Sequence, residues 1–325
     1  MPDFGLFYKE WKQNKALLVI IILVFMLSNP FTVLNTYISY QSCVTHQDKW
    51  VGTCVFSINY LNGTFISVFW IWGVVLAISQ LGIERSKGFF DFILSLPYTR
   101  GQIFNAKFLT GGMVIVGPQL IGYVLSIFLI LLLNPEKVIH FHHLSIGMIF
   151  ISLMAYSLVM AAGALTGNIL SQLLVSFTVA IFPFLLIALP AGNLEIVFGQ
   201  NAAVLNTEIP DWFRYIIPIM FVVPEWVMDS EHYLFFPIAW SFIFYIIGYI
   251  SFVKLSNDRN GYFFLWKALD RPVQVIVIII GILGFGYFGY AASESFAGYL
   301  LGMAAGAVIG FFISYFAIYK KTKYL

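Results

Sequence analysis

Long uncharged runs of apolar residues, parted by short charged stretches, set the pattern of this 325-residue chain. A helix needs about 20 mostly apolar residues to cross the hydrocarbon of a bilayer. Runs of that kind fall at residues 17–38, 65–81, 108–133, 144–166, 173–189, 235–253, 273–291 and 297–319. They predict an all-α integral membrane protein with eight transmembrane helices, forming a single polytopic domain over 1–325. A further apolar stretch at 215–223 is short, contains Pro218 and is closed by Pro224, so it reads as a re-entrant or interfacial segment.

The segments between the runs have their own patterns. Residues 1–15 place Phe4, Phe7, Tyr8 and Trp11 on one helical face and Lys9, Lys12 and Gln13 on another, the pattern of an amphipathic interfacial helix. Residues 254–272 repeat the design with Tyr262, Phe263, Phe264, Trp266 and Leu269. Both are expected to anchor at the membrane surface. The segment 191–234 carries Glu195, Glu208, Asp211, Glu225, Asp229 and Glu231 against Arg214, interleaved with Trp212, Phe213, Tyr215 and Trp226. It reads either as a lid or partner contact at the outer leaflet, or as a plain connector.

Composition agrees with a bilayer environment. Hydrophobic residues make up 60% of the chain and charged residues 10%, where a soluble domain carries about 25% charged. The net charge of +2 gives no sign of a nucleic-acid partner; where the charges sit is what matters. With eight spans, one side holds Lys9, Lys12, Lys15, Arg85, Lys87, Arg100, Lys107, Lys254, Arg259, Lys267, Arg271, Lys320, Lys321 and Lys323, which is 14 of the 17 basic residues. The positive-inside rule puts that side, and both termini, in the cytoplasm of a cell whose plasma membrane the chain crosses. No charge falls inside a predicted span, so coupling through an intramembrane titratable group is not expected.

The loop after the second span is the most informative segment. It reads Glu84-Arg85-Ser86-Lys87-Gly88, then Asp91, then Leu94-Ser95-Leu96-Pro97, then Arg100 and Lys107. As one helix it lines up Glu84, Lys87, Gly88, Asp91 and Ser95 in a narrow polar stripe, which Pro97 ends. The run resembles the cytoplasmic loop of ABC-2 type transporter permeases over about 25 residues. Length and layout are similar to the Ytr-type permeases of Gram-positive bacteria, linked to acetoin utilisation. The resemblance implies that 83–107 is a coupling loop seated on an ATP-hydrolysing subunit, with Glu84, Arg85, Lys87, Gly88, Asp91, Leu94, Pro97 and Arg100 at that interface. It implies nucleotide-binding subunits that hold ATP and Mg, a second permease subunit (the same chain or a different one), and lipids as partners. This chain itself would hold no cofactor. Members of the family commonly have six spans, and the two extra ones here lie at the C-terminal end.

The remaining chemistry is sparse. No phosphate loop, nucleophile elbow or His-Glu-x-x-His motif occurs, so the chain is expected to lack its own ATPase or other catalytic motif. His140, His142 and His143 share one short loop and could meet a metal or stand there incidentally. Cys43 and Cys54 both fall on the outer side, where a disulfide can form or stay open. Gly298, Gly302, Ala304, Ala305, Gly306 and Gly310 permit close packing in the last span, against a second subunit or within the bundle. Two further functions compete with transport: a membrane sensor or scaffold driven by an ATPase, and an intramembrane enzyme acting on lipids or polyprenyl sugars.

Overall fold

The computed structural model describes residues 4–46, 54–60, 68–199, 211–222, 234–254, 259 and 261–319. Its helices are α1 (Phe4–Gln13), α2 (Lys15–Thr45), α3 (Trp70–Ala77), α4 (Glu84–Ser86), α5 (Phe89–Leu94), α6 (Arg100–Leu133), α7 (Phe141–Leu165), α8 (Ile169–Phe198), α9 (Asp211–Arg214), α10 (Phe235–Val253), α11 (Asp270–Ser293) and α12 (Phe296–Tyr319). Two short strands, β1 (Ser57–Asn59) and β2 (Lys137–Ile139), pair in parallel with Ile58 opposite Val138.

Among the described residues seven helices are long and apolar enough to cross a membrane: α2, α6, α7, α8, α10, α11 and α12. The expected second span is the shortest. Its α-helical part begins at Trp70, and Ile78–Ile83 continues it as a π-helix into α4. A π turn carries an extra residue per turn and recurs at functional positions. The described part of the 215–223 stretch forms no spanning helix: it follows α9 and holds a 3₁₀ turn, Pro218–Val222.

The chain falls into two compact units. The first comprises Met1–Leu81, Leu96–Ala161 and Met220–Val253. Helices α2 and α6 run along each other within it. They have 31 and 34 residues, so at 1.5 Å per residue they reach about 46 and about 51 Å. The hydrocarbon layer is only about 30 Å thick, so both protrude beyond it. Pro30 lies inside α2 and cannot donate to the carbonyl four residues back, which belongs to Met26. Gly122 of α6 sits against that freed carbonyl, so close that a Cβ there would lie 2.5 Å from the oxygen. Nearby, Ser145 donates to the Asn29 side chain at 3.3 Å and the Tyr60 hydroxyl to the Asn29 carbonyl at 3.4 Å. In the last turn of α2, Cys43 forms a disulfide with Cys54, their Cα atoms 6.0 Å apart.

The second unit comprises Gly82–Ser95, Ala162–Ile219 and Lys254–Leu325. Its dominant element is the hairpin of α11 and α12. A Cβ on Gly281 would lie 2.7 Å from the Gly306 carbonyl, and one on Gly310 would lie 3.2 Å from the Ile278 Cα. Gly298, Gly302, Gly306 and Gly310 are thus used against α11, within the chain, whereas Ala304 and Ala305 are exposed. Asn193 of α8 donates to the Leu283 carbonyl at 3.1 Å and so ties α8 to the hairpin. In both units large apolar side chains face outward, among them Leu131 at 75% and Leu301 at 72% exposure. Water would penalise such a surface, but hydrocarbon does not.

Candidate functional site

The loop that follows the π turn is not one helix. Gly88 adopts φ +71°, left-handed geometry that ends a helix cheaply only where no Cβ clashes. The stripe of Glu84, Lys87, Gly88, Asp91 and Ser95 expected on a continuous helix is therefore split between α4 and α5. Pro97 lies exposed in the turn that follows. Thr99 then opens α6 with a capping box: its backbone N–H donates to Gln102 Oε1 at 2.9 Å and its hydroxyl accepts from the Gln102 N–H at 3.3 Å.

The break at Gly88 sorts the loop into a root and a tip. Glu84 and Arg85 are buried, at 2% and 4% exposure. Lys87, Gly88, Phe89, Phe92, Ser95 and Pro97 are exposed, while Leu94 and Arg100 are half-buried. The side chain of Asp91 lies outside the described residues. Of the residues expected at a partner surface, Lys87, Gly88 and Pro97 face outward, and Glu84 and Arg85 face the interior. Phe89 and Phe92 are the large exposed side chains of the tip.

Arg85 is held by the end of α7. Its Nη1 donates to the Gly163 carbonyl at 2.7 Å and also to the Thr166 carbonyl. The guanidinium carbon lies 4.6 Å from the Phe90 ring centroid. The last carbonyls of an α-helix have no intrahelical donor, and a cation there meets the negative end of the helix dipole. The chain after α10 serves the neighbouring carbonyls: Leu265 N–H donates to Leu165 O at 2.9 Å, and Gly261 N–H to Gly167 O at 3.2 Å. In return Gly167 N–H donates to Phe263 O at 3.2 Å, and Thr166 pairs with Phe264 in an antiparallel bridge.

This pairing corrects the helix expected within 254–272. The described part is irregular chain ending in a 3₁₀ turn, Lys267–Leu269, and Phe264 and Leu265 are buried. Its backbone is recruited to satisfy α7. Arg259 and Asp270 form an ion pair of 2.7 Å across it.

A second buried cluster lies in the first unit and was not foreseen. Lys107 Nζ stands 2.9 and 3.0 Å from the two carboxylate oxygens of Glu10. Their side chains are 0% and 2% exposed. The Lys107 carbonyl accepts from Gln80 Nε2 at 3.2 Å and from the Tyr156 hydroxyl at 3.1 Å. Tyr156 also lies 2.7 Å from Gln80 Oε1. Burial alone would raise the Glu10 carboxyl, but the charges of Lys107 and Lys9, with their hydrogen bonds, outweigh it and hold the group below the usual carboxylate range. The cluster eluded the sequence reading because Lys107 was counted as the end of a loop, whereas it lies two turns inside α6. In α1 the buried residues are Leu6 and Glu10, one turn apart, while Phe4, Tyr8 and Trp11 point outward.

The other candidates are quickly placed. His142 Nδ1 lies 2.7 Å from the Tyr123 hydroxyl. Among the described residues no group of three His, Cys, Asp or Glu side chains is close enough to hold a metal ion. In the 191–234 segment, α8 runs on to Phe198, and residues 200–210 and 223–233 lie outside the described residues.

Comparison with known proteins adds what geometry alone does not supply. The family described as "ABC-2 family transporter protein" matches residues 6–256. A "Probable ABC transporter permease YtrD" of Bacillus subtilis (strain 168) is 69% identical over 325 residues, covering the whole of both chains. A "Probable ABC transporter permease YtrC" of the same organism is 54% identical over 329 aligned positions, covering 99% of this chain and all of the relative.

Proposed function

The chain belongs to the ABC-2 family of transporter proteins, and from that premise we propose that it is the membrane-spanning permease subunit of an ATP-binding-cassette transporter whose ATP and Mg are bound on a separate subunit. The observation that carries the mechanism is the division of the 84–97 loop. A root fixed by buried hydrogen bonds from Arg85 carries a tip on which Lys87, Phe89, Phe92 and Pro97 are exposed. A fixed root lets a push on the tip reach the helices instead of being lost in loop motion. An apolar tip with one cation suits a groove on a soluble ATPase.

The basic residues support a cytoplasmic position for both termini and for this loop, since 14 of 17 fall on that side when the chain crosses the plasma membrane eight times. The partner in the membrane is a second permease subunit. Two Bacillus subtilis permeases match this chain along its whole length, which favours a pair of related but distinct chains. The chain contributes no catalytic group of its own. Its work is conformational.

The test is co-purification. The chain, isolated from its own membranes with a terminal tag, should bring an ATPase with it. Replacing Phe89 and Phe92 together by Asp should release that ATPase while leaving the chain folded. An eluate that hydrolyses no ATP, or one that the double substitution leaves unchanged, overturns the proposal.

A further inference from the structure

We propose that the C-terminal hairpin of α11 and α12 is the arm that moves with the loop tip, and that Arg85 and the Thr166–Gly167 turn are the positioning residues joining the two. The inference rests on the permease reading for its function, though not for its geometry.

Three observations carry it. First, Gly82–Ser95 belongs to the same compact unit as Lys254–Leu325. Second, the two segments bind neighbouring carbonyls of one stretch, residues 163–167. Arg85 takes the Gly163 and Thr166 carbonyls, and the backbone N–H groups of Gly261 and Leu265 take the Gly167 and Leu165 carbonyls. Displacing either segment strands buried carbonyls, and moving Arg85 strands a buried cation as well. Movement of the tip is therefore passed on, not absorbed. Third, the turn has no slack. A Cβ on Gly167 would collide with the Tyr262 carbonyl and lie 3.1 Å from the Arg259 carbonyl. Beyond the junction the ion pair of Arg259 with Asp270 leads into the first residue of α11, and close glycine contacts make α11 and α12 one body.

The family match ends at residue 256, so the hairpin lies outside the part common to the family. It is an addition joined to the loop through backbone hydrogen bonds. Such an arm extends the loop's motion to a pair of helices that the common part of the family does not supply.

The experiment places spin labels at Lys87→Cys in the tip and Val275→Cys on the exposed face of α11, in full-length chain whose Cys43 and Cys54 are replaced by Ser. Pulsed distance measurement in lipid nanodiscs should give one narrow distance, unchanged when the co-purifying ATPase is added with a non-hydrolysable ATP analogue. Gly167→Val should broaden that distance. Arg85→Gln should broaden it too, and Arg85→Lys, which keeps the cation, should recover part of the order. In the complex, Gly167→Val should retain the ATPase subunit on the intact tip yet lose permease-stimulated hydrolysis. A distance that is broad in the unsubstituted chain, that shifts with nucleotide, or that stays narrow in Gly167→Val overturns the proposal. Because the chain alone reports the distance, failure to capture an ATPase would sink the permease reading while leaving the junction to be judged by the labels.

Discussion

Glu10 and Lys107 stand 97 positions apart in sequence and meet as a two-point ion pair, with both carboxylate oxygens within 3.0 Å of the ammonium and both side chains out of contact with solvent. The pair fastens the N-terminal helix α1 to α6 two turns from its start. The same lysine's backbone carbonyl gathers Gln80 and Tyr156, so one residue joins four parts of the first unit.

Removing one partner of this pair should cost far more than removing both. Breaking a buried pair leaves an uncompensated charge and costs about 3–5 kcal/mol. Lys107→Met is expected to lower the melting temperature in detergent steeply, and Glu10→Gln likewise. The double variant should lose less than either single one, as coupled residues do. Additive losses would refute the coupling.

The pair also predicts an acid dependence. The folded Glu10 carboxyl lies below its ordinary 4.5. A depressed acid contributes stability that is fully present above the unfolded value and is lost as pH falls through the folded one. The melting temperature of the native chain should therefore fall below about pH 4.5 faster than that of Glu10→Gln, the two converging at lower pH. Parallel curves for the two proteins would show that Glu10 is not the group responsible.

Two neighbours in the loop should behave oppositely. Arg85→Ala leaves the buried carbonyls of Gly163 and Thr166 without their donor, at a cost of about 1–3 kcal/mol. Lys87→Ala changes an exposed side chain and should stay within about 0.5 kcal/mol. Thermal unfolding of the two variants side by side decides it. Equal effects would mean that the root and tip are not distinct.

Reduction should weaken the C-terminal end of α2. The Cys43–Cys54 bridge spans a sequence separation of 11, and closing a loop of that size stabilises by about 3 kcal/mol in the chain-entropy account. A reductant should lower the melting temperature of the native chain but not that of Cys43→Ser. In intact cells, an impermeant maleimide should label these thiols only after reduction. Labelling without reduction would show an open pair, and no labelling at all would place the loop on the other side.

What could be read from the sequence followed from the solvent. Apolar runs of spanning length are conspicuous in a chain destined for hydrocarbon, so each expected span position holds a helix, and the interval from Phe235 to Val253 is recovered to the residue. The loop's motif was legible, but its shape was not. Gly88 was noted as one residue of a helix, whereas its positive φ makes it a break. The charge of Lys107 argues against its lying in a helix that crosses the bilayer, although Thr99 and Gln102, three apart, mark the true start of α6. The junction of Thr166 with Phe264 left no trace in the sequence. Backbone groups nearly a hundred residues apart carry no side-chain signature of their pairing, and the aromatic pattern around Phe264 looked equally suited to a membrane surface.

The π-helix of Ile78–Ile83 has a consequence for the phase of the loop. Each residue of an α-helix advances by about 100° around the axis, so the surplus residue of a π turn offsets everything downstream by that much. Deleting a single residue there would let the segment relax into ordinary α-helix. Glu84 and Arg85 would then be rotated by about a quarter of a circle, and the guanidinium would swing out of line with the α7 carbonyls. The bearing of the loop is thus encoded by a miscount one turn upstream, and an indel in 78–83 would retune it without touching any residue of the loop itself.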